Sequence, residues 1–142
     1  MRKIRCFHDR DEDQVVELWE KTNLTRPWNN PRLDINRKRV MQDDLFLVAE
    51  LNNKIIGTIM GGYDGHRGVI NYLAVDQEYR LQGLASELVS IVEEKLKYLG
   101  CPKINLLVRR DNIEVEQLYK KLDFQKQEDV SVFGKRLILD NK

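Results

Sequence analysis

The chain reads as a single α/β domain over residues 1–142, a mixed α+β sheet with the element order β-α-α-β-β-β-α-β-α-β. Three observations carry that reading. At 142 residues the chain fits one domain, and such a domain buries roughly two-thirds of its unfolded surface. Val69-Ile70-Asn71-Tyr72-Leu73-Ala74-Val75 is a β-branched, apolar run of the kind that forms a buried strand. Beyond it, Leu88, Ile91, Val92, Leu96 and Leu99 recur at three- and four-residue spacing, one face of a helix that Gly100 is placed to cap.

The remaining elements follow in order. Ile4 to Phe7 predicts a short first strand, and Asp11 with Gln14 reads as a capping pair ahead of Val15, Leu18, Trp19 and Thr22 on a first helix. Asn30-Pro31 suits an N-cap followed by an N1 proline, so a second helix is expected from Pro31 to Gln42, burying Leu33, Val40 and Met41. Leu45 to Leu51 and Ile55 to Tyr63 are two strands about an Asn52-Asn53-Lys54 turn. After Gly100, Ile104, Leu106 and Val108 alternate as a strand. Asn112 opens a helix with Val115, Leu118, Tyr119 and Leu122 on one face, and a last strand is expected at Val130 to Phe133, extended or paired by Lys135 to Leu139. No repeat, low-complexity segment or linker divides the chain.

Composition excludes several function classes. With 42% hydrophobic and 33% charged residues the chain has the make-up of a soluble globular domain. It has no run near the roughly eighteen apolar residues of a membrane span. No apolar segment follows Met1-Arg2-Lys3-Ile4-Arg5, so this is no signal peptide, and the expected compartment is the cytoplasm, away from membranes. Cys6 and Cys101 fit that compartment as small buried residues, and with two histidines no metal-ligand spacing is present, so no metal is expected. A net charge of +1 argues against wholesale nucleic-acid binding. Arg37-Lys38-Arg39 reads as a solvated face, whereas Arg109-Arg110 stands just before the turn at Asn112.

The turn Arg80-Leu81-Gln82-Gly83-Leu84-Ala85 joins the central strand to its helix. Such a turn aims free backbone N–H groups at one point, and the helix dipole adds partial positive charge there, which favours a phosphate. An ordinary β–α turn, eased by its glycine, would use the same residues. A single short glycine motif does not separate the two.

Several features together resemble the GCN5-related N-acetyltransferase (GNAT) superfamily along essentially the whole chain. They are Leu73-Ala74-Val75 at the strand end, Arg80 to Ala85 as an Arg/Gln-x-x-Gly-x-Gly/Ala motif, and Asn112 followed by Leu118-Tyr119, Lys121 and Phe124. Leu81 and Asp123 stand where the family often has glycine. Asp123 would occupy a left-handed C-cap, which Asp tolerates better than most residues. Trp28-Asn29 and Gly61 to Gly68 are also similar to a narrower bacterial group, the YpeA-type acetyltransferases.

The resemblance implies acetyl-CoA as cosubstrate, transfer of its acetyl group by direct attack of a primary amine, and a mostly antiparallel sheet splayed at the cofactor site. Backbone N–H groups of Leu81, Gln82, Gly83, Leu84, Ala85 and Ser86 would hold the pyrophosphate, with Arg80 beside them. The edge of Leu73, Ala74 and Val75 would meet the peptide-like pantetheine arm. Arg109 or Arg110 would neutralise the ribose phosphate. Asn112 would bind the pantetheine, or simply cap the helix that follows it. Tyr119 would be the general acid for the departing thiolate; a core tyrosine beside Leu118 and Leu122 is the alternative.

The general base is less evident. Asn71 and Tyr72 stand where many relatives carry a glutamate, and neither is a base at neutral pH. Glu50, Asp64 and His66 are the nearby candidates. His66 has a suitable unperturbed pKa but also reads as an ordinary loop histidine. Trp28, Asn29, Tyr63 and Asp64 are the acceptor-site candidates, on loops at the open end of the sheet. Trp28 equally reads as a packing lid over the second helix. Exposed strand edges allow two copies to pair as a homodimer. A non-catalytic acyl-CoA-binding module with the same fold is the competing function.

Overall fold

A computed structural model describes residues 1–140. Its sheet grows from the hairpin of Phe46–Leu51 (β2) and Lys54–Tyr63 (β3). Asn52 and Asn53 make that turn with φ of 50° and 65°, the left-handed geometry that suits the twist of the flanking strands. Lys3–Cys6 (β1) pairs antiparallel with β2, and Gly68–Val75 (β4) pairs antiparallel with β3. Ile104–Asn105 (β5) joins β4 in parallel through two residue pairs, Gly68 with Ile104 and Val69 with Asn105. The strand order is β1-β2-β3-β4-β5.

Helices cover both faces, which is why β2 reads as an unbroken apolar run rather than an alternating one. Glu12–Lys21 (α1) and Pro31–Met41 (α2) cover one face. There Trp19, Val15 and Ile35 meet Phe46, Val48 and Ile55. Leu84–Tyr98 (α3) and Ile113–Lys121 (α4) cover the other, where Leu84, Leu88, Val92 and Leu96 meet Leu47, Ala49, Ile56 and Ile59. Gly61 lets α3 approach closely: a Cβ there would lie 2.8 Å from Val92 Cγ1. No helix among the described residues is long and apolar enough to cross a membrane.

Three expectations are corrected. Asp11 does not pair with Gln14. Its carboxylate binds Arg5 at 2.7 and 3.0 Å and accepts from the His8 amide, while Gln14 Oε1 accepts from the Ile55 amide at 2.9 Å and so pins α1 to the hairpin. The second helix starts as expected, with Asn30 Oδ1 accepting from the amides of Arg32 and Leu33, but it buries Ile35. Leu33, Val40 and Met41 are 36%, 78% and 64% exposed. The rotation of α2 follows its polar ties, because Lys38 reaches inward to Asp43 and the Gly61 carbonyl.

The closing strand does not form. Val130, Val132 and Phe133 stay 65%, 70% and 95% exposed, and residues 125–140 contain no regular element. The segment returns instead to the start of α2. Asp140, its side chain 1% exposed, binds Arg37 and the Asn30 amide there, and Arg136 donates to Asn29 Oδ1 at 2.7 Å.

Candidate active site

Beyond Val69 the chain after β5 diverges from β4, and the gap opens a cleft of about 1310 Å³. One wall is the β4 edge from Ile70 to Val75; the other carries Leu107, Val108, Arg109 and α4. The turn from Arg80 to Ser86 closes one end, and the α1–α2 connection with the inner face of α2 closes the other.

The turn is held open by its backbone geometry. Leu81 has φ +63° and Gly83 φ +78°, so two left-handed residues fold the chain back just before α3 begins. A Cβ on Gly83 would meet nothing within 4 Å, so this position calls for glycine through its conformation and not through space. The first amide of the helix to find a partner is that of Glu87, on Gly83 O at 3.0 Å. The amides of residues 81–86 donate to nothing among the described residues, and the helix dipole adds to their positive potential. Arg80 is fixed beside them by its own hydrogen bond to Val75 O at 3.2 Å. Arg2 braces the outer side, donating to Gln82 O at 3.2 Å and pairing with Glu87.

Asn112 caps α4, its Oδ1 accepting from the Val115 amide at 3.3 Å, and lines the cleft. Tyr119 also lines it, although only 7% of the residue is exposed. Its ring stands edge-to-face on Phe124, and burial, with no hydrogen bond beside it, is what shifts its hydroxyl. Burial pushes its pKa up to about 12, so the hydroxyl keeps its proton across the neutral range.

At the other end, β3 and β4 slip out of register between Thr58 and Met60, and Tyr72 takes φ +52° at this bulge. The bulge is built on a satisfied buried network. Trp19 Nε1 donates to Thr58 Oγ1 at 2.9 Å, Thr58 donates to Tyr72 O at 2.9 Å, and Tyr72 stacks on Trp19 with ring centroids 3.7 Å apart. The Tyr72 hydroxyl then reaches across to Asp34 Oδ2 on α2 at 2.6 Å. Burial raises the Tyr72 pKa above its ordinary range, and the Asp34 carboxylate adds to the shift.

The expected cofactor residues Leu73, Ala74, Val75, Arg80, Leu81, Gly83, Leu84, Ala85, Ser86 and Asn112 all line this one cleft together with Tyr119 and Asn29. Gln82 belongs to the same turn. Trp28 sits at the rim with Arg109 over its ring, 5.4 Å from the centroid. Tyr63, Asp64 and His66 are not brought to the cleft, because their loop closes the Gly68 end of the hairpin. Tyr63 donates to the carbonyls of Gly65 and Gly100, and Asp64 accepts from the amides of His66 and Arg67, which hold its carboxyl below the usual range. Glu50 is engaged by Arg5 at 2.9 Å. Sequence reasoning passed over Asp34; its one signal was the i, i+4 stripe it shares with Lys38 on the face of α2 that proved to be inward.

Comparison with known proteins agrees with this geometry. The model of the acetyltransferase (GNAT) family matches residues 12–124. An acetyltransferase of Sodalis glossinidius is 51% identical over 140 residues, 99% of each chain, and one of Yersinia pseudotuberculosis is 50% identical over the same span. Among solved structures, Ard1 from Thermoplasma volcanium superposes with a TM-score of 0.78 at 27% identity, over 87% of this chain and 82% of that one. An aminoglycoside 6'-N-acetyltransferase of Acinetobacter haemolyticus shares the fold at TM-score 0.74 and 18% identity, over 96% of this chain and 99% of that one. Matched by the family model through all but its ends, and half-identical from end to end to proteins that bear the name acetyltransferase, the chain belongs to the GNAT family of acetyltransferases.

Proposed function

We propose that the protein moves the acetyl group of acetyl-CoA onto a primary amine by direct attack within this cleft. The observation that carries the reading is the meeting, in one cleft, of the amides of residues 81–86, unpartnered among the described residues, and the Tyr119 hydroxyl. The chemistry of the donors fits the cosubstrate. A row of N–H groups beside Arg80 suits a pyrophosphate, and the β4 edge beyond Asn71, which has no strand partner on the cleft side, suits a peptide-like arm.

Acetyl-CoA supplies an activated acetyl group on sulfur; the chain supplies position and protons. The amine nitrogen forms its bond to the acetyl carbon, the carbon–sulfur bond breaks, and the sulfur leaves with that electron pair. Tyr119 donates its hydroxyl proton to the sulfur, and the proton that the nitrogen sheds as the amide forms returns through water to Tyr119. Asn112, already committed through Oδ1 to the α4 cap, keeps its side-chain NH₂ for the arm of the cosubstrate. Trp28 with Arg109, and Asn29, border the acceptor's entrance. The cytoplasm and a pairing of two copies along an open strand edge complete the proposal.

The test is release of free thiol from acetyl-CoA by the purified protein in the presence of primary amines. Turnover supports the reading. Tight acetyl-CoA binding without turnover on any amine would favour a non-catalytic binding module, a reading that half-identity to proteins named acetyltransferase disfavours.

A further inference from the structure

We infer that Asp34 is the group that receives the acceptor's ammonium and takes its proton, and that the acceptor is an aliphatic amine with an apolar stem. The inference rests on the acetyl-transfer reading and supplies the base that the sequence does not offer.

Asp34 faces the cleft from the inward side of α2, next to the buried Ile35 and one turn before Lys38. Each carboxylate oxygen has a single partner: Oδ2 takes the Tyr72 hydroxyl at 2.6 Å, and Oδ1 takes Arg37 at 3.2 Å. A carboxylate has about four acceptor sites, so Asp34 retains room for an incoming N–H donor.

The neighbouring cations all have partners other than Asp34, Arg37 in addition to it. Arg37 makes its shorter contact, 2.7 Å, with Asp140, which Arg136 also approaches at 3.9 Å. Lys38 is held by Asp43 and the Gly61 carbonyl, and Lys21 by Asp76. Arg26 turns back onto the carbonyls of Asn23 and Thr25. Among the described residues Arg37 is thus the one cation that touches Asp34, and Asp140 shares it.

Tyr72 explains why the carboxylate is held so firmly. A bulky residue at φ +52° is a backbone outlier, and such strain persists where the surroundings impose it, often at functional sites. Here the bulge and the Trp19 stack aim the Tyr72 hydroxyl across the cleft wall onto α2. That hydroxyl is a positioning donor. Its pKa lies above the ordinary tyrosine range, so it keeps its own proton at neutral pH and leaves proton acceptance to Asp34. Had the Tyr72 hydroxyl needed only a partner, a neutral acceptor would have served.

Met41 and Met60 also line the cleft, Met60 from the core cluster that holds Tyr72 and Ile35. They suit the methylenes of an alkylamine, as in a polyamine or a lysine side chain. The step balances: an N–H bond of the ammonium breaks, the proton passes to an Asp34 oxygen, and the electron pair stays on nitrogen for attack on the acetyl carbon; the second proton, shed as the amide forms, returns through water to Tyr119 in place of the one given to sulfur. Asp34 later returns the proton to water.

The experiment compares wild type, Asp34→Asn and Tyr72→Phe. Acceptors are spermidine, Nα-acetyl-lysine methylamide and trifluoroethylamine, the last largely uncharged at neutral pH. Asparagine still accepts from Tyr72, so the fold is retained, and thermal melts check this. Removing a positioned base is expected to lower kcat/KM for the charged amines by about 10²-fold. The loss is expected to be about tenfold smaller for trifluoroethylamine, which reaches the site already neutral. Calorimetry should find acetyl-CoA affinity unchanged within about twofold, and spermidine binding to the CoA-saturated protein weakened about tenfold, the size of one charge-assisted contact. Tyr72→Phe should cost about tenfold or less, as expected for loss of one positioning hydrogen bond. Equal losses on charged and uncharged amines, or an Asp34→Asn enzyme as fast as wild type, would overturn the assignment alone. No thiol release by wild type from any of the three, with acetyl-CoA bound, would overturn the acetyl-transfer reading and this inference with it. Preference between spermidine and the lysine amide identifies which source of alkylamine the site fits.

Discussion

Tyr119 and Phe124 meet edge to face, ring centroids 5.3 Å apart at 69°, across the turn that ends α4. The amide of Phe124 also donates to Tyr119 O at 3.0 Å, so ring and backbone are clamped together while the hydroxyl stays free.

Tyr119→Phe is therefore expected to keep the fold and the acetyl-CoA affinity and to lower kcat by about 10²-fold, the scale of a lost general acid. Pre-steady-state thiol release and calorimetry check it. An unchanged chemical step would take Tyr119 out of the proton transfer.

The pair of Arg5 and Asp11 contributes to the acid limit of stability. Burial pushes the Asp11 carboxyl up, but the Arg5 guanidinium and the His8 amide outweigh this and hold it below its ordinary 3.8. A depressed folded pKa stabilises the fold above the unfolded value, and the contribution disappears as pH falls through the folded one. Thermal melts should therefore lose stability below about pH 4, through this carboxyl among others. Asp11→Asn is expected to cost about 3 kcal/mol at pH 7, the scale of breaking a buried pair. It should also flatten the acid limb of the melting curve; a steep limb retained in the variant would count against the assignment.

Gly83→Ala places a Cβ on a left-handed residue at φ +78° with open space around it. Conformation alone then costs about 1 kcal/mol. Relaxing that φ would turn the amides of the turn off their common point, so acetyl-CoA affinity should drop about tenfold, the equivalent of 1.4 kcal/mol. Denaturant melts and calorimetry read the two effects separately.

Trp28→Ala removes the ring under Arg109. A contact of this kind is worth about 0.5–1 kcal/mol at an exposed site. The acceptor KM is expected to rise roughly two- to fivefold with kcat nearly constant, as for loss of a group that orders the entrance and takes no part in bond breaking. A fall in kcat with KM unchanged would refute the entrance role.

The turn from Arg80 to Ser86 and the helix caps were legible because backbone geometry and periodicity write them locally. Gly83, Gly100 and Asp123 take φ of 78°, 90° and 70°, as their places after a strand or at helix ends implied. The α2 end of the cleft was not legible, because it joins residues far apart in sequence. Whether α2 turns Asp34 or Val40 inward depends on Asp43, Gly61 and Asp140, which no local pattern relates to it. Tyr63, Asp64 and His66 adjoin the right hairpin, but sequence proximity does not say which end of a strand faces the cleft. The apolar residues 130–133 have strand composition, and composition cannot reveal that the ion pairs of Asp140 draw the segment elsewhere.

The two residue pairs between β4 and β5 have a consequence for the molecule as a mechanical object. Strand pairing sews the chain after α3 to the sheet at Gly68 and Val69, while side chains of α4 and Asp140 tack it on further along, and the cleft is the unsewn length between. A ligand that grips the turn at 81–86 on one side and α4 on the other stitches the seam shut. Acetyl-CoA should then slow amide exchange in α4 more than in β2, and protect residues 104–121 from proteases in proportion to its concentration. The acyl donor would act as a fastener, and the integrity of this part of the protein would follow the cell's supply of it.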